Sequence, residues 1–427
     1  MTTADNETQM QQGIPWVDLS KVFQNAITVC RRLGIDYLWI DSLCIIQGDH
    51  QDWELEAPKM CDYYEHAWFT LSAASSSHGQ IPFLTNREDK WSPHEFIGDT
   101  GVHFLARRHA GSSSTQFIEN FDPVAARGWC WQEVVLSTRV LHYTQSQFVR
   151  ECRSDCIAED GAMPQEFHSM RLTQQLSGDE PNIYNKWHDL VNTYSSRRLT
   201  YESDRLPALS GVASKIASIT HSDYLAGLWK NNLLTDLCWS ANYTDLMDQQ
   251  PQFRGDEYLA PSWAWPSVRG SVIIESEDPE QPFVALATVQ NVHCTVPGLN
   301  PYGKVTDGYL EILAPLTLLI VSCGDPNDCW SYTIGDHFPT MEPMAADCVL
   351  TLDNGTVRRA GAADTLSQFS VKVPCILHGT SEGKGVVFFY VMVLRHLGDA
   401  TYTRIGFANL DNAEWFGKAT QKTIRVV

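Results

Sequence analysis

The sequence predicts an α/β first part, a mainly parallel sheet with flanking helices, followed by an antiparallel β-rich C-terminal unit, so that the chain is α+β overall. Three observations carry this. Helical and strand patterns alternate from residue 21 to about 73, which argues for parallel pairing. After Trp265 the texture becomes β-branched and aromatic runs separated by Gly, Pro, Asn and Asp clusters, the pattern of antiparallel strands. The composition, 43% hydrophobic and 19% charged over 427 residues, is enough to bury one large core or two moderate ones.

Taken in order, residues 1–12 are mostly polar and read as a separate N-terminal segment. Ser20 then suits the N-cap of a helix from about Lys21 to Leu33, in which Val22, Phe23, Ala26, Ile27, Cys30 and Leu33 repeat at helical spacing. Gly34 suits its C-cap. Tyr37 to Ile40, a short continuous apolar run, reads as a parallel strand buried on both faces. The next helix is expected near Ala57 and Pro58, since proline is tolerated in a first turn, with Met60, Tyr63, Tyr64 and Ala67 facing inward. Phe69 to Ala73 reads as a second buried strand. Residues 75 to about 102 form a Ser-, Pro- and Gly-rich excursion.

His103 to Ala106, Arg139 to Tyr143 and Gln147 to Cys152 read as strands, and Trp129 to Leu136 as a short helix. Glu151 to Pro181 holds few periodic apolar positions and reads as a flexible or lid-like loop. Helices return at about Ile183 to Tyr194, with Trp187, Leu190, Val191 and Tyr194 spaced i, i+3, i+4, i+7, and at about Leu206 to Ile216. Strands are expected at Ser271 to Ile274, Val284 to Val292, Tyr309 to Val321, Phe369 to Val373, Val386 to Leu394 and Thr401 to Ala408. The expected domains are therefore 13–270 and 271–427.

Charge and cysteine usage narrow the function classes. With 31 basic against 51 acidic residues the formal charge is −20, which repels nucleic-acid backbones and anionic membranes. The longest apolar runs, Leu316 to Cys323 and Val386 to Leu394, are shorter than the roughly 20 residues a membrane helix needs. Twelve cysteines are scattered without Cys-x-x-Cys spacing, and no leader is recognised, which reads as reduced thiols in a cytoplasmic protein. Cys152 and Cys156 lie near His142 but lack the further ligands a zinc site needs. There is no Gly-x-Gly-x-x-Gly after a strand, no phosphate-loop lysine motif and no Gly-x-Ser-x-Gly elbow. No cofactor and no metal are expected.

Several short motifs recur in a particular order. The run Leu33 to Gln47 is followed by Asp52-Trp53, Glu56, Met60, Tyr64, Ala67 and the small residues Ser72 to Ser77 before Gly79. Later come Arg127-Gly128-Trp129, Gln132-Glu133, Leu136-Ser137, Arg139-Val140-Leu141-His142, Glu151-Cys152, Asp204 to Gly211, Gly227-Leu228-Trp229 and Pro261-Ser262-Trp263-Ala264-Trp265. In this order they resemble the fungal heterokaryon-incompatibility (HET) domain over roughly the first two thirds of the chain. The family's usual opening strand, resembling Ala-Leu-Ser-Tyr-x-Trp-Gly, is not found upstream of Gly13. The resemblance implies a distant relation to the TIR fold, a cell-death effector role, and, by way of some TIR members, cleavage of NAD.

The residues themselves leave the chemistry open between sites and scaffold. Asp41, Ser42 and Cys44 follow the expected strand at the edge where α/β sheets bind ligands. They could form a hydrogen-bonding or nucleophilic centre; equally, Asp41 could cap a turn and Cys44 could be a small buried hydrophobe. Glu56 beside Trp53 is a candidate proton-transfer group, because an apolar wall raises a carboxyl pKa, or else a first-turn acid facing the helix dipole. Arg127, Trp129, Gln132 and Glu133 could line a site, or Arg127 and Glu133 could form an internal ion pair over a Trp129 core. Trp263 and Trp265, two apart on an expected strand, share a face that is a pocket wall or plain core. The leading assignment takes Asp41, Glu56 and Gln132 as catalytic, with Ser42, Cys44, Trp53, Tyr63, Arg127, Trp129, Glu133, Trp263 and Trp265 as substrate-binding.

Three functions of different classes follow. The first is a cofactor-independent enzyme of fungal secondary metabolism that folds an apolar small molecule for cyclisation or isomerisation, for example an intramolecular Diels–Alder reaction. Such a step needs a shaped pocket and one hydrogen bond to an electron-poor carbonyl. The second is the HET effector role with NAD cleavage at Asp41 and Glu56. The third is a non-catalytic interaction module built on the C-terminal β unit.

Overall fold

A computed structural model describes residues 1–106, 124–159, 161, 180–242, 257–324, 332–335, 342–360, 367–383 and 385–427. The expected lid-like loop therefore falls largely outside the described residues. The chain divides into two compact units, one of residues 1–177 with 197–199 and one of residues 178–196 with 200–427. Residues 180–196, 200–242 and 257–270, grouped by sequence with the first domain, thus belong to the second unit.

The first unit opens on a short helix, α1 (Glu7–Gln12), and then α2 (Lys21–Leu33). Ser20 caps α2 as its spacing predicts, its hydroxyl accepting from the Phe23 amide at 3.3 Å. Gly34 ends it at φ 69°, a left-handed conformation that glycine adopts without strain. After a one-turn helix, α3 (Asp41–Cys44), come α4 (His50–Glu56), α5 (Met60–His66) and strand β1 (Thr70–Ser72). A hairpin of β2 (His94–Ile97) and β3 (His103–Ala106) follows. Helix α6 (Gly128–Leu136) and strands β4 (Arg139–Tyr143), β5 (Phe148–Cys152) and β6 (Asp155–Ala158) complete the unit.

The sheet has the order β1-β4-β5-β6. Its β1–β4 pair is parallel, whereas β4–β5 and β5–β6 are antiparallel. The mixed α+β class stands, but the sheet is not mainly parallel, because tight reversals after Tyr143 and Cys152 return the chain as hairpins. Alternation along β1 sends its residues to two faces. Leu71, with Phe69 and Ala73, packs against the α2 residues Ala26 and Val29. On the other face the Thr70 hydroxyl bonds that of Ser137, at the end of α6, at 2.6 Å. A buried His142–Glu151 pair at 2.9 Å joins β4 to β5, so His142 is held by a carboxylate rather than by the neighbouring cysteines.

The expected buried strand Tyr37–Ile40 is the main departure. The segment is extended but pairs with no strand among the described residues, and Tyr37 is 92% exposed. Apolar continuity states that a run prefers burial; it does not supply the neighbour on either edge that a central strand requires.

The second unit contains α7 (Glu180–Ser195), whose Trp187, Leu190, Val191 and Tyr194 are buried at the expected spacing, and α8 (Ser210–Thr220). Its largest sheet is built on the 17-residue strand Asp307–Cys323. That strand pairs antiparallel with Phe369–Gly383 and with Thr420–Val426. Phe369–Gly383, Val386–Gly398, Thr401–Leu410 and Thr420–Val426 pair successively, so the ladder of five strands closes on itself. Closure removes free edges from these five strands. Arg404 is fully buried within this unit, paired with Asp347 at 3.0 Å and donating to the carbonyls of Leu237 and Trp239. No described helix is long and apolar enough to cross a membrane. The eleven described cysteines are all free thiols.

Candidate functional site

A cleft of about 780 Å³ opens in the first unit. The α2 residues Val22, Ala26 and Cys30, with Ile35, Tyr37, Leu38, Trp39, Ile40, Phe69 and Leu71, make its apolar part. Its polar end carries Asp41, Trp53, Tyr63, Tyr64, Arg127, Trp129 and Glu133.

Local sequence explains how these side chains arrive together. Gly34 turns the chain out of α2, and the Ile35 amide returns a hydrogen bond to the Cys30 carbonyl at 2.9 Å. The extended segment then delivers Asp41 to the cleft, where its carboxylate accepts from the Ser42 amide at 2.6 Å. Thr2 braces the following turn, its amide bonded to the Ser42 carbonyl at 2.8 Å and its hydroxyl to that of Leu43 at 2.7 Å. Asp49 caps α4, and Asp52 accepts from the Ile46 amide at 2.7 Å. Those contacts set the angle of α4 and hence of Trp53. The Trp53 ring meets Trp129 edge to face at 6.3 Å. Trp39 lies against both Tyr63 and Tyr64, at 5.2 and 5.7 Å.

Helix α6 enters through a close approach. The Gly128 amide donates to the Arg198 carbonyl at 2.8 Å, and a Cβ on Gly128 would stand 2.5 Å from the Leu199 side chain. Trp129, Cys130 and Glu133 then share one helical face, which is the face that lines the cleft.

Electrostatics single out Glu133. Burial pushes its carboxyl up, and the Asp41 carboxylate adds to the rise; the Tyr64 hydroxyl, Arg127 and the Cys130 thiol oppose it, leaving a pKa of about 7. The Tyr64 phenol is itself held well above its ordinary value, by burial first and then by Glu133. It therefore stays protonated at neutral pH, a donor on the same cleft wall as Glu133. The site can present a carboxylic acid or a carboxylate at neutral pH, beside a fixed phenol donor and between aromatic walls.

Several assignments from sequence are corrected by this geometry. Asp41, Trp53, Tyr63, Arg127, Trp129 and Glu133 do come together. Glu56 does not line the cleft, and Lys59 and the Tyr63 hydroxyl, bonded to it at 2.7 and 2.6 Å, lower its pKa instead of raising it. Two donors thus outweigh the apolar wall that Trp53 offers. Gln132 is buried on another side of α6, about 100° per residue away from Glu133. Ser42 and Cys44 lie outside the cleft lining. Trp263 and Trp265 belong to the second unit, are fully buried, and sit in a turn rather than on a strand; they are core. Tyr64 and Trp39, outside the site expected from sequence, also line the cleft, and Glu133, expected there as a binding residue, is its titratable group. The spacing of Trp129, Cys130 and Glu133 was the available signal for the last of these.

Among the described residues Cys61, Asp62 and Glu65 form a grouping whose ligand atoms lie within 4.8 Å. Arg153 approaches Glu65 at 3.4 Å, and the three residues share one short helix, so they are not taken as a metal centre.

Residues 1–133 match the family model described as Heterokaryon incompatibility protein (HET). No curated protein and no solved structure matches the chain.

Proposed function

We propose, from a HET-type segment at residues 1–133, that the first unit is a cofactor-independent enzyme acting on an apolar small molecule, with Glu133 as its acid–base group. The observation that carries this reading is a carboxyl with a pKa of about 7 in a cleft of about 780 Å³ lined mainly by apolar and aromatic side chains. That volume suits a ligand of small-molecule size. The walls formed by Trp53, Trp129 and Trp39 restrict a flexible substrate to a folded conformer, which lowers the entropic part of a cyclisation barrier.

In a cycloaddition, protonated Glu133 or the Tyr64 hydroxyl donates a hydrogen bond to a substrate carbonyl oxygen, which takes up negative charge as the ring closes. No proton is transferred overall, and no electron donor or acceptor is required. In an isomerisation, ionised Glu133 removes a proton from carbon and returns it at another carbon, which again leaves the enzyme unchanged. Burial first, and the Asp41 carboxylate second, raise the Glu133 pKa toward neutrality.

A second reading is NAD cleavage by a cell-death effector. The family match favours it, as do the two carboxylates, Asp41 and Glu133, beside stacking indoles. Against it, Arg127 is the only lysine or arginine among the described lining residues, whereas a dinucleotide brings two phosphates. Metabolite profiling of a strain with and without the gene separates the two. Accumulation of an uncyclised or unisomerised precursor on deletion supports the first reading. NAD depletion on expression, abolished by Glu133→Gln, supports the second and overturns the first.

A further inference from the structure

Two stretches of backbone reach the cleft without a ladder partner. Strand β1 is the edge of its sheet, with Thr70, Leu71 and Ser72 paired to Val140, Leu141 and His142 on one side and to no described strand on the other. The segment Ile35–Ile40 is extended, with Ile40 at φ −138° and ψ 122°. Within it, Ile35 alone donates a backbone hydrogen bond among those between described residues, and Ile40 alone accepts. Both stretches line the same cleft. Peptide groups without a ladder partner are left to water, and a free strand edge is a template for another strand.

We propose that this cleft accepts a β-strand from another polypeptide, laid between the outer edge of β1 and the segment Ile35–Ile40. The six residues from 35 to 40 set its length at about six residues. Alternate side chains of such a strand meet the two faces that β1 defines. One set would join Val22, Ala26 and Leu71 on the α2 face; the other would join Met60 and Tyr64 on the α5–α6 face. Both sets should be apolar, with basic flanks favoured by the chain's charge of −20. Main-chain bonds supply affinity and alternate pockets supply selectivity, as in other strand additions. The inference does not rest on proton transfer at Glu133.

The test uses the full chain and a panel of capped peptides with six central residues drawn from Val, Ile, Leu and Phe, flanked by lysines. Backbone hydrogen exchange is read by mass spectrometry. Saturable slowing confined to residues 36–40 and 69–73 is expected. Methylating alternate peptide nitrogens, which removes donors and keeps every side chain, should weaken binding at least about tenfold. Leu38→Asp should do the same by placing a charge in the apolar wall; the methylated peptides make the test independent of that variant's folding. The proposal is overturned if no peptide slows exchange in either stretch, or if methylated peptides bind equally. Slowing that grows with protein concentration in the absence of peptide would also overturn it, by assigning the strand position to a second copy of this chain. These readouts need no turnover, so their failure is distinct from failure of the acid–base reading.

Discussion

Tyr64 on α5 and Glu133 on α6 line the same cleft, and each shifts the other's ionisation: the Tyr64 hydroxyl lowers the Glu133 pKa, and Glu133 raises that of Tyr64. Glu133 nevertheless has a pKa of about 7, because burial and the Asp41 charge outweigh what Tyr64, Arg127 and Cys130 contribute. The folded protein thus binds a proton at Glu133 that the unfolded chain, with a carboxyl near 4.5, releases earlier.

The sign of the pH dependence follows. A raised carboxyl pKa stabilises the fold fully below the unfolded value and loses that contribution as pH rises through the folded value. Melting temperature should fall between about pH 4.5 and 7 by an amount that Glu133→Gln removes. Parallel melting curves for the two proteins across that window would refute the assignment.

Glu133 and Glu56 make opposite predictions in turnover. Glu133→Gln should reduce activity by about 100-fold or more, the usual size of an acid–base contribution. Glu56→Gln should leave it within about threefold, because Lys59 and Tyr63 keep that carboxyl ionised outside the cleft. Steady-state kinetics of both variants on the precursor identified by metabolite profiling decides between them.

Trp53→Ala removes the edge-to-face partner of Trp129. Aromatic pairs contribute about 0.5–1.5 kcal/mol beyond their buried area, so a modest fall in stability is expected. A larger fall in kcat should accompany it, since the wall that holds the folded conformer is lost. Unchanged kcat with raised KM would assign Trp53 to simple binding.

In the second unit, Asp347→Ala leaves the fully buried Arg404 without its carboxylate. Removing one partner of a buried pair costs about 3–5 kcal/mol, to be read from urea denaturation. Gly227→Ala should also destabilise. Its φ is 99°, and an added Cβ would stand 2.6 Å from the Trp265 indole nitrogen; overpacking of this kind costs about 1–3 kcal/mol.

Much of the fold was legible because it is encoded locally. Ser20 and Gly34 bracket α2, Trp187, Leu190, Val191 and Tyr194 mark α7 by their spacing, and the β-branched runs after residue 270 became strands. The candidate site was legible in part for the same reason: Asp41, Trp53, Trp129 and Glu133 lie in short motifs whose helix and loop placement could be read. Glu56 is less legible because its partners lie one and two turns along the chain, where two hydrogen-bond donors prevail over the apolar neighbour.

The sequence by itself determined the secondary-structure alphabet, the two-part texture, the acidic charge and the resemblance of its motifs to the HET family. Tertiary structure alone decided which strands pair, and so left Tyr37–Ile40 extended but unpaired and closed the five C-terminal strands on one another. It also decided that Trp263 and Trp265 are core and that Glu133, rather than Glu56, has its pKa raised. Pairing and ionisation depend on groups distant in sequence, where burial and neighbouring charge are set by packing rather than by any local run of residues.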